Sequence, residues 1–458
     1  MKKYGVLLLL VASTGGWAQT DSINKMSIGL NVMSHGETCG GGLPRSDDKN
    51  VNEDRSHFLV GRTRIIADYE RQRVGNGTSG MTPSLQVHAV LQNKAVWGMK
   101  GDQTLNLYES WVKMTARNGL FAQIGRVALA YDDERIIGPN DFATAAKSHD
   151  VFRAGYEGHG HKLHAILAYN QNADNVYNGT YYDGGSQAYK TMQTVWYHYD
   201  VPKFPLGVSL LFMNLGLQAG GYKEVDGKKV EKPDNSPRTE YQQMWGGYFN
   251  FHPKYLTLEG SYYRQTGKVV NEEKRSKPIK AWMASVKATV KPADSYGFQL
   301  GYDFLSGDDY VPVAYGGPFV MVNHPEIKGF TPLYGSHTKF YGIMDYFYAS
   351  AYTNGFTPGL QNAFLGVFGQ PIGKLNCGAT YHYLAVGTKL AELNRTLGHS
   401  IELQASYQFS KDIILMAGFT QMFGTETMAC LKQDGSSKSA RWGWFTLVVS
   451  PSLFTSKW

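Results

Sequence analysis

The sequence has no long apolar run and few cysteines, and each shortage excludes a class of protein. A transmembrane helix needs about 20 consecutive apolar residues, whereas the longest comparable run here extends only from Gly5 to Ala12. Three cysteines in 458 residues are too few for a disulfide scaffold. Because 42% of the residues are hydrophobic, the composition also differs from that of a disordered chain. Helical membrane proteins, disulfide-rich modules and disordered proteins are therefore excluded.

Glycine and aromatic residues are abundant instead. The chain contains 52 Gly, 30 Tyr, 22 Phe and 9 Trp, and aromatic side chains are favoured in β-strands. Charged residues make up only 18% of the chain, and the formal net charge is +7. This small excess does not suggest a nucleic-acid binder. The composition therefore favours a β-rich fold without a nucleic-acid partner.

The first 18 residues have the pattern of a secretory signal peptide. Lys2 and Lys3 precede the apolar stretch, and Gly16-Trp17-Ala18 matches the small-x-small pattern of a signal-peptidase site. We predict cleavage after Ala18, and no lipid anchor, because Gln19 rather than Cys follows. Residues 1–18 are thus predicted to be a signal peptide, and residues 19–458 a single exported domain.

The rest of the chain alternates apolar and polar residues in segments of about ten. Ile401, Leu403 and Ala405, for example, alternate with Glu402 and Gln404. In a soluble sandwich the apolar face would meet a protein core, whereas in a membrane barrel it would meet lipid around a wet lumen. We predict eighteen such strands, at 25–36, 57–73, 83–97, 104–116, 119–130, 149–158, 161–171, 191–201, 206–219, 239–252, 256–267, 278–291, 296–307, 360–371, 375–389, 398–409, 412–424 and 440–450.

The connections distinguish the membrane barrel from the sandwich. From the fourth strand onward, short turns such as 158–161 and 371–375 alternate with long polar insertions such as 131–149 and 306–359. Outer-membrane barrels have short periplasmic turns, long extracellular loops and an even number of strands. We therefore predict an all-β fold, a transmembrane antiparallel β-barrel of about 18 strands that meets lipid in the outer membrane of a Gram-negative bacterium.

Charged residues within the strands predict which face lines the lumen. A charge on the lipid face near the membrane midplane costs about 2–4 kcal/mol, so strand residues in phase with such charges are expected to point inward. Arg126 shares its phase with Ile124, so its placement in the lumen requires a bulge or a position above the bilayer. The residues predicted to line the pore and bind substrate are Arg62, Arg64, Asp68, Lys94, Arg126, Arg135, Arg153 and Lys287.

Such a set has two interpretations. Rings of Arg and Lys are how pores favour anions, so one interpretation is an electropositive, anion-selective lumen. The other is that mixed charges pair with one another and only keep the lumen hydrated. The alternation itself does not distinguish them.

Two groups of motifs resemble the alginate-export family of outer-membrane barrels. The first comprises LYESW at 107–111, FAQIGR at 121–126, YDDERIIG at 131–138 and HDVFR at 149–153. The second comprises LGYDFLSGDD at 300–309, PLYGSHTKFYG at 332–342 and DYF at 345–347. The family's Gln and Gly in the first group are replaced here by Val127 and Asp132. The resemblance implies a monomeric barrel whose Arg- and Lys-lined pore exports an anionic polysaccharide.

No motif indicates an enzyme. The sequence lacks Gly-x-Ser-x-Gly, His-Glu-x-x-His and a phosphate-binding glycine loop before a helix, so we predict no catalytic residue and no cofactor. His159, His161 and His164 approach the spacing of metal ligands but flank a predicted tight turn, and no metal site is assigned. Calcium would suit the acidic residues of two loops, although pairing with Arg135 explains them more simply; these residues are Asp132, Asp133, Glu134, Asp303, Asp308 and Asp309.

Three functions are consistent with these features. The first is a channel for an anionic, alginate-like polysaccharide or its fragments. The second is a general or oligosaccharide-uptake porin, and the third is a barrel enzyme or adhesin. The sequence identifies neither the cargo, nor the direction of transport, nor a periplasmic partner. The aromatic-rich segment 306–359 is expected to pack on itself or fold into the barrel mouth, either as a gate or as a sugar-binding surface.

Overall fold

A computed structural model describes most of the chain. The described residues are 24–40, 55–72, 83–101, 103–142, 146–171, 188–225, 228–271, 273–308, 325–344, 357–390, 393–432 and 439–458. The predicted signal peptide lies outside these ranges, so its assignment and the boundary at residue 19 stay predictions.

Strands dominate the described residues. In chain order they are β1 (Asn24–Gly40), β2 (Arg55–Arg71), β3 (Ser84–Val96), β4 (Thr104–Thr115), β5 (Leu120–Val127), β6 (His149–Gly158), β7 (His161–Tyr169), β8 (Thr191–Asp200), β9 (Leu206–Ala219), β10 (Tyr222–Val225), β11 (Lys228–Glu231), β12 (Arg238–Phe251), β13 (Leu256–Val270), β14 (Ser276–Pro278), β15 (Ala281–Ala293), β16 (Tyr296–Leu305), β17 (Leu360–Ile372), β18 (Leu375–Ala385), β19 (Thr396–Ser410), β20 (Ile413–Gly424), β21 (Ser439–Val449) and β22 (Ser452–Lys457). One short helix, α1 (Glu426–Lys432), and a 3₁₀ turn (His337–Lys339) complete the described elements. None of the described helices is long and apolar enough to cross a bilayer.

Eighteen of these strands, all except β10, β11, β14 and β22, form a closed antiparallel barrel. Each pairs with its neighbours in the chain, and β1 pairs with β21 to close the ring. The short β22 follows Pro451 and continues the pairing with β1. The barrel therefore has no free sheet edge along this seam.

This architecture confirms the predicted fold. Each predicted strand coincides with one of the ring strands, and their ends differ by at most four residues. The alternation is informative because one face of each strand meets lipid and the other the lumen, so parity sets the environment of every side chain.

Large apolar side chains cover the outer face of the ring. Ile65, Ile124, Leu210, Leu300 and Leu365 are between 48% and 62% exposed. Soluble proteins do not leave a contiguous apolar surface of this kind in water, whereas lipid accommodates it. The outer face is therefore the membrane-spanning belt.

The two rims of the barrel differ as predicted. Turns between β6 and β7, β15 and β16, β17 and β18, and β19 and β20 have two residues each, whereas the opposite rim carries the long connections. At the first of these turns, His159 and Gly160 both have positive φ, 54° and 82°, the geometry of a type I′ hairpin turn. His159 is thus a turn residue at the short-turn, periplasmic rim.

Aromatic residues occupy both faces of the wall. Trp245 and Trp282 are exposed on the outer face, as expected for an interfacial girdle. Trp196 and Trp442 are instead buried in the lumen, because they are in phase with other inward side chains. Trp111, which stacks on the lumenal His88, and Tyr131, which is buried beside His164, also lie inside the barrel.

A β-bulge in β4 changes its inward residues. The pairing with β3 shifts between Val90 and Leu91, where Val90 faces Glu109 and Leu91 faces Leu107. Tyr108 is the extra residue, and both Tyr108 and Glu109 point inward as a result. A bulge re-aims a side chain in this way, and here it places the Tyr108 ring under Arg64.

The described parts of two long loops fold into the lumen. Loop L3, residues 128–148, connects β5 and β6, and loop L7, residues 306–359, connects β16 and β17. The described parts of L7 include Phe330, Tyr334 and Tyr341, all buried. This agrees with the expectation that the aromatic-rich segment folds into the barrel; Tyr310, Tyr315, Phe319, Tyr346 and Phe347 lie outside the described residues.

Candidate functional site in the barrel lumen

One end of L3 is fixed to the barrel wall by a buried arginine. The Arg135 guanidinium pairs with Asp133 at 3.2 Å and with Asp303 of β16 at 3.1 Å. It also donates hydrogen bonds to the hydroxyl groups of Ser285 on β15 and Tyr341 of L7, each at 3.0 Å. Hydrogen bonds to charged groups are the stronger ones, so this end of L3 is firmly held. Tyr341 places L7 in the same cluster.

Asp132 provides a second attachment next to this cluster. Its carboxylate accepts hydrogen bonds from the indole of Trp196 on β8 at 3.0 Å and from the hydroxyl of Tyr263 on β13 at 3.4 Å. Burial raises the pKa of Asp132 above the usual carboxyl range, even though hydrogen bonds from Ser209 and Trp196 act in the opposite direction. The loop therefore presents a partly buried carboxyl group to the wall formed by β8, β9 and β13.

L3 and L7 contact each other across the lumen. Ile137 and Tyr334 form a parallel β-bridge. The Ser336 hydroxyl donates to Glu134 at 2.6 Å and accepts from the backbone N–H of Asn140 at 2.8 Å. The two segments, residues 131–142 and 330–344, will be called the L3–L7 layer.

The other end of the L3–L7 layer reaches β2, on the opposite side of the ring from β13. Asp141 pairs with Arg64 at 2.7 Å and with Arg62 at 3.3 Å. Arg62 also donates to the backbone carbonyl of Asp141 at 3.0 Å. Both arginines are buried, whereas the Asp141 side chain is 51% exposed. L3 therefore crosses the lumen, and its far end consists of one half-exposed carboxylate between two buried guanidiniums.

The wall beneath these arginines holds them in place. Arg64 donates from Nε to the side-chain oxygen of Gln92 at 2.8 Å, and its guanidinium lies 3.9 Å from the centre of the Tyr108 ring. A cation over an aromatic face is stabilised by about 0.5–2 kcal/mol, most when desolvated. The buried Nη2 atom of Arg64 has no hydrogen-bond partner within the described residues.

Lys94 extends the positive charge on the same wall. It stands directly opposite Arg62 in the pairing of β2 with β3, in phase with the lumenal Gln92. Arg62, Arg64 and Lys94 thus form one cluster, which we call the basic cluster, and Asp141 is the acidic group bound to it. Among the residues predicted from the sequence, the structure brings these three together.

The remaining lumenal residues of the predicted set are dispersed and paired. Asp68 contacts His88 at 2.7 Å, and Lys287 pairs with Glu259 at 2.7 Å. Arg153 donates to the hydroxyl of Tyr131 at 3.1 Å. These three residues point into the lumen, but they belong to other parts of the wall.

Arg126 does not point into the lumen. It stands opposite Asp150 in the pairing of β5 with β6 and forms a bidentate pair with it, at 2.8 Å and 2.7 Å. Both residues share the outer phase of Ile124 and Phe152, which are exposed apolar residues. The bulge that lumenal placement would require lies in β4 rather than in β5. The prediction that Arg126 lines the pore is therefore wrong. Arg126 instead forms an ion pair with Asp150 on the outer face, at the end of β5 that leads into L3.

Sequence reasoning missed Asp141, Gln92 as a ligand of Arg64, and Tyr108 beneath it. The partner of Gln92 is not readable from one strand, because the contact joins β3 to β2. The contact of Tyr108 with Arg64 is not readable from β4 alone, because it joins β4 to β2. Asp141 carries no local signal, because only the path of L3 across the lumen brings it to β2.

No metal centre is found in the described part of the chain, where no group of three or more His, Cys, Asp or Glu side chains is placed to hold an ion. His161 stacks between Tyr197 and Tyr199, whereas His164 contacts Glu157 and Tyr131. Of the acidic residues considered for calcium, Asp133 and Asp303 both pair with Arg135, which was the simpler of the two explanations. Asp309 lies outside the described residues.

Comparison with known proteins identifies the fold. No protein-family model and no curated protein sequence matches the chain. The solved structures it resembles include OccK5 (OpdH) of Pseudomonas aeruginosa, at 11% identity and a TM-score of 0.58, covering 94% of this chain and 98% of that one. OccK2 (OpdF) of the same organism, solved in complex with glucuronate, has 11% identity and a TM-score of 0.58, with 94% and 97% covered. A BenF-like porin of Pseudomonas fluorescens Pf-5 has 11% identity and a TM-score of 0.57, with 93% and 99% covered.

These similar structures are porins, which are channels rather than enzymes. At this identity the likeness extends to the fold and not to the cargo. This fold and the apolar outer belt are consistent with a location in the outer membrane of a Gram-negative bacterium. The chain thus has the fold of an outer-membrane porin.

Proposed function

We propose that the protein is a porin selective for small organic anions, with sugar acids among its solutes. The observation that carries the proposal is the basic cluster of Arg62, Arg64 and Lys94 facing the far end of the L3–L7 layer. Among the described residues, three positive charges meet one carboxylate there, that of Asp141. The local excess of positive charge lowers the energy of an anion at this point of the lumen, since desolvated walls focus the field of such groups.

The path of the loops supports a small solute. L3 crosses the lumen from Arg135 to Asp141, and L7 packs along it from Tyr334 to Tyr341. Loops that cross a barrel of this size leave only part of its cross-section open. OccK2, a porin of similar fold, was solved with glucuronate, which is consistent with a carboxylated sugar as the class of solute. The ring closes within one chain, which supports a monomeric pore.

Export of an alginate-like polymer is the second candidate. The motif blocks FAQIGR at 121–126 and YDDERIIG at 131–138 favour it through their resemblance to the alginate-export family. The same basic cluster would attract the uronate groups of a polymer. The L3–L7 layer argues for the small solute, because a continuous chain needs an open path along the whole lumen.

The experiment is ion selectivity and solute block in a planar bilayer. The reversal potential of the refolded protein in a KCl gradient gives the anion-to-cation permeability ratio, and gluconate and alginate oligomers are added as blockers. We expect an anion-selective current that gluconate reduces, and a loss of selectivity in Arg64→Gln. Arg126→Gln removes the same charge from the outer face and serves as the matched control.

A current that is indifferent to charge in the wild-type protein would refute the proposal. Equal loss of selectivity in both variants would assign the effect to general charge rather than to the basic cluster. Block by alginate oligomers but not by gluconate would favour polymer export.

A further inference from the structure

We infer that Asp141 is a tethered competitor for the solute: its carboxylate occupies the site between Arg62 and Arg64 that a solute carboxylate takes during passage. The inference rests on the proposed function and concerns the regulation of the same site. It also specifies the ligand group as a carboxylate, the group that Asp141 itself carries.

The first argument is the asymmetry of the two ends of L3. At the anchored end, Arg135 and its partner Asp303 are both buried, with side chains 7% and 4% exposed. At the far end, Arg62 and Arg64 are 3% and 8% exposed, but the Asp141 side chain is 51% exposed. Of Arg62, Arg64 and Asp141, water therefore reaches mainly the Asp141 carboxylate on the loop. The loop carboxylate is the member that can leave, whereas the two arginines are fixed in the wall.

The second argument is that Arg64 does not depend on Asp141 for its position. Arg64 is held from Nε by Gln92 and from its ring face by Tyr108. Its Nη1 atom contacts Asp141, and its buried Nη2 atom has no partner within the described residues. A guanidinium binds a carboxylate best through two parallel N–H groups. Asp141 engages Arg64 through one of them, so the site has donor capacity that an incoming carboxylate can use.

The third argument is the chemistry of the exchange. When a solute carboxylate replaces the Asp141 carboxylate, both buried cations keep an anionic partner, so no charge is left uncompensated at any point. Asp141 moves into water, which it already contacts. The free energy of the exchange is therefore close to zero. Because L3 holds Asp141 near the two arginines, its carboxylate has a high effective concentration, which the solute must exceed to replace it. A neutral solute of the same shape gains nothing at this site.

The test compares Asp141→Asn with Asp68→Asn. Asp68 is also a lumenal carboxylate, with a side chain 49% exposed, but it contacts His88 rather than the basic cluster. Both variants remove one negative charge from the lumen, and only the first removes the competitor. Half-blocking concentrations of gluconate are measured in single channels, with the neutral glucitol as the matched ligand. Conversion of the folded band in heated gels verifies that each variant forms a barrel, and Asp141→Ser replaces Asp141→Asn if the latter does not.

We expect the half-blocking concentration of gluconate to fall by about 10-fold in Asp141→Asn, to change little in Asp68→Asn, and to be unaffected for glucitol. If gluconate blocks the wild-type channel but with the same half-blocking concentration in both variants, the competitor role is refuted while the proposed function stands. If the wild-type channel is neither anion-selective nor blocked by gluconate, the proposed function itself fails. An equal increase in affinity in the two variants would attribute the effect to net charge and also overturn the inference.

Discussion

Arg135 donates a hydrogen bond to the hydroxyl of Tyr341 at 3.0 Å, although the two residues are 206 positions apart in the sequence. One belongs to L3 and the other to L7, and they meet inside the lumen rather than at the rim. Because Arg135 also pairs with Asp303 of the wall at 3.1 Å, two loops and two strands are joined through one side chain. The arrangement of the two loops inside the lumen thus depends on a contact that neither loop makes alone.

Replacement of Arg135 by Met is expected to release both loops without unfolding the barrel. Removing one partner of a buried ion pair costs about 3–5 kcal/mol, and here it leaves Asp133 and Asp303 without their cation. The strand ladder does not depend on this pair. We expect faster proteolysis within L3 and L7 and a larger single-channel conductance. Arg275→Met, at an exposed arginine outside the lumen, is the control; proteolysis equal to wild type in Arg135→Met would contradict the role of the anchor.

Two lysines of the predicted set are expected to differ in their effect on selectivity. Lys287 is neutralised by Glu259 at 2.7 Å, whereas Lys94 adds its charge to that of Arg62 on the adjacent strand. Lys94→Gln should therefore lower the anion-to-cation permeability ratio more than Lys287→Gln does. Reversal potentials in a KCl gradient measure both ratios, and the opposite order would show that the basic cluster does not control selectivity.

The partly buried carboxyl group of Asp132 predicts a pH-dependent effect on stability. Burial raises its pKa in the folded state, so the charged form lowers stability above that pKa, and this loss is recovered as the pH falls through it. Asp132→Asn carries no charge at any pH. It should therefore be more stable than wild type at neutral pH and equal to it in acid, as measured by the temperature at which the folded band converts in gels. A difference that persists unchanged in acid would exclude this explanation.

Phe142 next to Asp141 gives a prediction about noise rather than selectivity. Its ring packs at right angles on His35 of β1, with centroids 5.3 Å apart, and on Trp444 of β21, at 5.0 Å. Aromatic pairs contribute about 0.5–1.5 kcal/mol each beyond their buried area, so Phe142→Ala loosens the far end of L3. We expect more current noise with an unchanged permeability ratio, because Arg62 and Arg64 stay in place. A changed ratio with unchanged noise would indicate that Phe142 does not hold the loop.

The sequence predicts the wall of the barrel far better than its lumenal site. Parity along β2 correctly groups Arg62, Arg64 and Asp68, because each strand obeys a period of two over its whole length. The same parity places Arg126 with Ile124 on the outer face, and the structure has it there. A lumenal Arg126 would have required a β-bulge in β5, and β5 has none at this position. A bulge such as the one at Tyr108 leaves no mark in the local pattern.

The contacts of the L3–L7 layer cannot be predicted from alternation along a strand either, and the reason is different. Asp141 and Arg64 are 77 positions apart, and Glu134 and Ser336 are 202 apart. Contacts at such separations depend on the closed ring, which brings β2, β16 and L7 around one lumen. Alternation describes each strand separately and carries no information about which side chains then face each other.

The position of Phe142 has a consequence for assembly. Its two aromatic neighbours belong to the first and last strands of the ring, His35 on β1 and Trp444 on β21. L3 is synthesised early, yet this part of its docking surface exists only after β1 and β21 have paired. Docking of Phe142 therefore follows closure of the ring, which places this step of loop packing late in the assembly of the barrel.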